Sequence, residues 1–306
     1  VVFAEDPLRM LRAARFIATL GMLPDETIRA VARERAADLL RVSPERWLLE
    51  MNRLLIGPVV DLGLGFLVDT GLMGHLLPEV QAVVEFAAGQ GRRHHKAVWP
   101  HTVSVVGESP ARVAVRWAAL LHDAGKVTTR SVDASGEVHF LGHEAVGAAL
   151  VEAVARRFRF DNDLRERVRS LVLLHQRPAL YDGTWSDAAV RRFIRDAGPY
   201  LEDLLALSRA DITSHRPGVR EAALARNAEL AGRVADLVAK DGEGPLLPKG
   251  LGRDLMARFG LEEGPAVGAL KRRLEQAVLD GLLPRNGDPA VYLEHLEKEK
   301  LTRAPA

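Results

Sequence analysis

His122 and Asp123, adjacent in LLHDAGK, put an imidazole and a carboxylate side by side. Four more groups of the same two kinds are spaced around them: His101 in WPHT, His143 in GHE, His175 in LLHQRP and Asp211 in SRADIT. Imidazole and carboxylate are the donors that hold divalent metals able to activate water, so the chemistry suggested is metal-dependent hydrolysis. Neighbouring side chains on a helix diverge by about 100°. His122 can therefore serve one ion while the two oxygens of Asp123 bridge to a second. Lys126, one helical turn from His122, can place a cation near a pentavalent phosphoryl transition state. With no cysteine in the chain, disulfides and thiolate zinc sites are excluded. The donor set leaves Mg, Mn, Fe, Co, Ni or Zn open.

A single His on a partly apolar helix is more often a hydrogen-bonded core residue, and that reading is kept for His75, His94, His95, His139, His215 and His295. Asp211 and Lys126 taken singly would read as a cap and as a solvated helix-end charge. What positions the donors is almost entirely helix. Leu8, Leu11, Ala14 and Phe16 recur near helical spacing up to Gly21. Ser43-Pro44 predicts a capped helix start, with Leu48, Met51, Leu54 and Leu55 on its apolar face. Val115, Ala118, Ala119 and Leu121 predict a helix that carries His122-Asp123 and is ended by Gly125; Pro100 is expected to open the helix bearing His101. Asp133 to Gly136 is a turn signal inside 127–140, where a small hairpin is expected. Pro199 and Pro217 bracket a helix containing Asp211. A long amphipathic helix follows, then two helices joined by Gly264-Pro265. The fold class expected is all-α, with one possible hairpin at about 127–140.

The 306 residues, 47% hydrophobic and 27% charged, suit a globular chain with a sizeable core. The organisation expected is a helical neck at 1–91, a His-rich metal-binding region at 92–218 and a helical tail at 219–306. Of 42 basic residues only 96, 126, 240, 249, 271, 298 and 300 are Lys. Arg excess favours bidentate phosphate contacts, and is equally what a GC-rich genome encodes. No apolar run reaches membrane-spanning length and no signal peptide is visible, so a cytoplasmic protein without a membrane partner is expected.

The ordered set His…His-Asp…His…His…Asp resembles the HD superfamily of metal-dependent phosphohydrolases. That resemblance implies one ion held by His101, His122, Asp123 and Asp211, and a second by His143 and His175 with Asp123 bridging. DPLRMLRAARF and LLRVSPERWLLEMNRLL resemble the neck of bacterial CCA-adding tRNA nucleotidyltransferases and poly(A) polymerases. GRDLMARFGLEEGPAVGALKRRLEQAVLDGLL resembles the RNA-contacting tail of their HD-containing members. The resemblance implies phosphodiesterase and phosphatase activity on RNA 3′ ends or 2′,3′-cyclic nucleotides through metal-activated hydroxide, with Asp123 and Lys126 as catalytic residues. It implies RNA, and tRNA in particular, as partner. Arg9, Arg12, Arg15, Arg92, Arg93, Lys96, Lys271, Arg272 and Arg273 are the phosphate-contact candidates. The family's polymerase head has no counterpart in the chain, so Glu45 and Arg46, near its nucleotide-pairing motif, have no reaction to template. Nucleotide addition by this chain alone is not expected. The alternative is the RNA-binding body of a split or truncated enzyme, with a vestigial HD site and a separate nucleotidyltransferase head as partner.

Overall fold

Helical periodicity is written directly into the first long helix, α1 (Leu8–Leu20), whose residues Met10, Leu11, Ala14, Ile17 and Ala18 are buried on one face. Phe16, expected on that face, is instead 43% exposed and lies under the Arg15 guanidinium. The structure is a computed structural model that describes residues 2–89, 98–214, 216, 218–242 and 245–302. Among them helix dominates, and the only sheet is a two-stranded hairpin. None of the described helices is long and apolar enough to cross a membrane.

The chain divides into two compact units, Val1–Leu180 with Pro199–Asn227, and Tyr181–Gly198 with Ala228–Ala306. In the first unit α1 packs against α2 (Pro44–Leu55) and α3 (Val60–Asp69). The approach to α3 is close. A Cβ on Gly63 would lie 2.8 Å from Ala18 Cβ and 2.9 Å from the Ala14 carbonyl oxygen. Ser43 adopts the extended conformation expected of a cap, but its side chain makes no capping bond, so Pro44 alone marks the start of α2.

Next come α4 (Val98–Glu108), in which Pro100 is the third residue rather than the first, and α5 (Val113–Leu121). The short helix α6 (Lys126–Thr129) leads into β1 (Ser131–Val132), which pairs antiparallel with β2 (Val138–His139). Gly136 takes the turn between them at φ +84°. Two helices, α7 (His143–Phe158) and α8 (Asn162–Leu174), then pack on each other, and α8 also packs on α5. α9 (Leu201–Asp211) completes this group.

Neck and His-rich region share one core in this unit. Trp47 of α2 meets Phe158 edge-on, Phe158 meets Trp117, and Trp117 Nε1 donates to Asn52 Oδ1 at 2.7 Å. Arg116 is buried with no carboxylate partner among the described residues. Its guanidinium instead donates to the carbonyls of Leu55 and Ser109 at 2.9 and 3.0 Å, and of Gly107 at 3.3 Å. These carbonyls lie at or just beyond the ends of α2 and α4, where helices leave acceptors unpaired and carry partial negative charge.

The second unit is helical as well. Leu251, Leu255, Leu274, Tyr292 and Leu296 form its centre, and the helix after Gly264 opens on Pro265 as the turn predicted. The Tyr292 hydroxyl donates to the Pro284 carbonyl at 2.6 Å and accepts from Gly287 N–H at 2.8 Å.

Candidate metal centre

All six donors come together. His122 caps the C-terminus of α5, His175 caps the C-terminus of α8, and Asp211 is the last residue of α9. His101 comes from the first turn of α4 and His143 is the first residue of α7. Three helix C-termini therefore point their partial negative charge at one place. Each such end favours a cation by about 0.3–1 kcal/mol.

The donors fall into two triplets, His101, His122 and Asp211, and Asp123, His143 and His175, with donor atoms within 4.8 Å of one another in each. Asp123 stands between them. Its Oδ2 lies 3.3 Å from His122 Nε2 and 3.6 Å from His101 Nε2, while Oδ1 lies 3.5 Å from His143 Nε2. His101 Nε2 is 2.9 Å from Asp211 Oδ1.

The imidazole tautomers are set from outside the cluster. His122 Nδ1 bonds the Ala119 carbonyl at 2.8 Å, His143 Nδ1 that of Phe140 at 2.8 Å, and His175 Nδ1 that of Val172 at 2.7 Å. In each case the partner is three residues earlier in the chain. A ring that donates through Nδ1 presents a bare lone pair at Nε2, the arrangement typical of metal-ligating histidines. His101 Nδ1 bonds the Thr213 hydroxyl at 2.8 Å. The Nε2 atoms of His101 and His122 are 3.3 Å apart, as are those of His143 and His175. Neighbouring ligands of an ion bound at about 2.1 Å stand about 3.0–3.4 Å apart. Lone pairs facing each other so closely repel unless a cation or proton intervenes, so the residues fit a divalent ion in each triplet.

Electrostatics agree. Burial works against ionisation of Asp123, yet His122 and Lys126 hold its carboxyl well below the usual carboxylate range. Burial alone would depress His122, but Asp123 and Asp211 outweigh it and draw its pKa up to about 9. The proton so attracted occupies the place a cation would take, and metal binding would release it. Burial, reinforced by the charge of His122, pushes His175 down to about 4, which keeps it a neutral ligand. Asp211, opposed by burial but bonded by His101, settles at about 2.

Two glycines make this convergence possible. A Cβ on Gly125 would lie 2.1 Å from the His143 carbonyl oxygen, and one on Gly147 would lie 3.0 Å from Val172 Cγ1. Gly125 was expected as a helix terminator. It is instead in right-handed helical conformation at φ −65°, and its smallness lets the start of α7 reach the His-Asp turn. Lys126 Nζ is 2.8 Å from Asp123 Oδ2 and stands over the Phe140 ring at 5.6 Å.

Three participants carried no sequence signal that was read: Thr213, Gln176, whose amide is 3.2 Å from His143 Nε2, and the Phe140 carbonyl. Thr213 follows Asp211 by two residues and Gln176 follows His175 directly, so the signal for both is a polar side chain next to a candidate donor.

The phosphate-contact candidates are placed unevenly. Arg12, Lys271 and Arg272 are exposed. Arg9 lies 3.7 Å from Glu5, and Arg273 pairs with Glu299. Arg15 is ion-paired with the buried Glu50, Nε to Oε2 at 2.6 Å. Arg92, Arg93 and Lys96 lie outside the described residues.

Residues 82–215 match the HD domain family, and residues 21–83 match the family described as the probable RNA and SrmB-binding site of polymerase A. The CC-adding tRNA nucleotidyltransferase of Thermus thermophilus is 36% identical over 94% of this chain and 66% of its own length. The A-adding tRNA nucleotidyltransferase of Deinococcus radiodurans is 34% identical over 89% of this chain and 64% of its own. The chain thus spans just under two thirds of these relatives. The crystal structure of the Bacillus stearothermophilus CCA-adding enzyme in complex with CTP shares the fold, with a TM-score of 0.59 at 22% identity over 98% of this chain and 63% of that one.

Proposed function

We infer that this chain, which carries an HD domain and a poly(A)-polymerase RNA-binding segment and is homologous along its neck, HD and tail regions to CC- and A-adding tRNA nucleotidyltransferases, is a metal-dependent phosphohydrolase. Its proposed substrates are phosphoesters at RNA 3′ ends or 2′,3′-cyclic nucleotides, in the cytoplasm. The observation that carries the proposal is Asp123, one carboxylate whose Oδ2 faces His101 and His122 and whose Oδ1 faces His143.

His101, His122, Asp123 and Asp211 would hold one ion, and Asp123, His143 and His175 a second. Bound there, divalent ions supply an activated water and neutralise phosphoryl charge. The chain's own residues do the rest. Carbonyls of Ala119, Phe140 and Val172 hold the imidazole tautomers, and Thr213 orients His101. Asp123 fixes Lys126, whose side chain is 23% exposed and whose ammonium could meet a phosphoryl oxygen.

The test is hydrolysis of 2′,3′-cyclic AMP and of RNA with a 2′,3′-cyclic end, with Mn, Ni or Co supplied. Turnover should appear with at least one metal and vanish in Asp123→Asn. Activity in the mutant equal to that of the parent would refute the reading.

Homology to tRNA nucleotidyltransferases over nearly the whole chain supports a second reading, an RNA-binding body working with a nucleotidyltransferase head. Here the chain binds tRNA without hydrolysing it, and CTP or ATP addition returns when a head-domain protein is supplied. Failure to bind tRNA removes this reading.

A further inference from the structure

We propose that Gln176 is the residue that orients the phosphoryl group over the second ion position, an assignment that rests on the metal-dependent phosphohydrolase reading. His143 donates through Nδ1 to the Phe140 carbonyl, so its Nε2 can only accept. The partner facing that Nε2 at 3.2 Å is therefore the amide N–H of Gln176, a donor. One lone pair cannot serve a hydrogen bond and a cation at once. When an ion takes His143 Nε2, the Gln176 amide must let go, and it is then a solvent-facing donor beside the ion position with no other acceptor among the described residues.

The side chain is well placed for this second duty. Gln176 directly follows the ligand His175 at the end of α8, and it is exposed where the ligands around it are buried. Being uncharged, it adds no repulsion to a bound cation and leaves the ligand count unchanged. Its amide N–H groups suit the oxygens of a phosphate, which accept and do not donate when ionised. Lys126 meets Asp123 at Oδ2, whereas Gln176 meets His143, which faces Asp123 Oδ1, so the two donors reach different ends of one carboxylate.

The assignment separates phosphate binding from metal binding, which gives the test. The full chain is loaded with Mn2+, and inorganic phosphate is titrated while the paramagnetic relaxation of its 31P signal is followed. Gln176→Ala should hold Mn2+ as tightly as the parent, or more tightly, and bind phosphate about tenfold more weakly. In turnover the loss should fall on KM at least as much as on kcat. Gln176→Glu, which keeps the shape but replaces the donor by a negative charge, should bind phosphate worse than Gln176→Ala. Unchanged phosphate affinity in Gln176→Ala overturns the assignment, and so does loss of Mn2+, which would make the residue a ligand or a structural support. A parent protein that holds Mn2+ and binds phosphate through Gln176 but turns over no phosphoester sinks the hydrolase reading and upholds this one. A parent that holds none of Mn2+, Ni2+ and Co2+ ends both.

Discussion

Thr213 is where one hydroxyl decides how a ligand sits. Its hydroxyl bonds His101 Nδ1 at 2.8 Å, while its backbone N–H donates to the Asp211 carbonyl at 2.9 Å, and the hydroxyl so fixes the direction of His101 Nε2. Outer partners of this kind are worth about 10–100-fold in metal affinity. Thr213→Val should therefore weaken Mn2+ binding by that factor in a calorimetric titration, with an unchanged circular dichroism spectrum, and Thr213→Ser should restore most of it. A Val variant that binds like the parent would show that His101 is held by packing alone. Lys126 makes a different prediction. Its ammonium competes with a cation for Asp123 Oδ2, so Lys126→Met should keep or tighten metal binding while lowering kcat at least about tenfold. A mutant that loses metal and activity together would assign Lys126 to holding the site rather than to the reaction.

At the scale of elements, Gly125 and the start of α7 must touch for Asp123 to see His143. The 2.1 Å approach that a Cβ would make is to backbone, which cannot swing aside. Gly125→Ala should cost about 1–3 kcal/mol in chemical denaturation and lower metal content at the Asp123, His143 and His175 triplet first. Full metal content in that variant would mean that α7 can shift without cost. The hairpin offers a pH test away from the ligands. His139 Nε2 meets Asp133 Oδ2 at 2.8 Å, which raises the His139 pKa and depresses that of Asp133. With His139 raised, its contribution is whole below the ordinary histidine value and is lost as pH climbs through the raised one. With Asp133 depressed, its contribution is whole above the ordinary carboxylate range and is lost as pH falls through the lowered value. The pair thus holds the hairpin from mildly acid to neutral pH. An NMR titration of His139 should give a midpoint above about 6.5 that returns to that value in Asp133→Asn; equal midpoints in the two proteins would show the pair absent in solution.

Over the molecule as a whole, the Arg116 guanidinium ties the end of α2 to the end of α4 through backbone carbonyls. Arg116→Met removes the donor but leaves those buried carbonyls unpaired, so it should destabilise the unit holding the site by at least about 2 kcal/mol, read from urea unfolding; a smaller loss would mean that water replaces the guanidinium. Much of this architecture was legible beforehand. Helices followed from apolar spacing, and the six donors from an ordered set of His and Asp that resembles the HD superfamily, since residue type alone does not choose among ten histidines. What was hidden depends on pairs distant in the chain. Arg15 read as a phosphate contact because nothing local announces Glu50, thirty-five residues on, as its partner. Phe16 fell on a helical spacing that the packing of α1 did not use. The Gly125 contact and the carbonyls behind the histidines are backbone features, and a sequence names only side chains.

The placement of His122, His175 and Asp211 at the ends of α5, α8 and α9 has a consequence for motion. Helices fray from their ends, and here the ends that would fray are those a cation would clasp. An occupied site then acts as a rivet through three last turns, and its removal by a chelator should speed amide exchange over residues 118–122, 171–175 and 207–211 well before the rest of those helices responds.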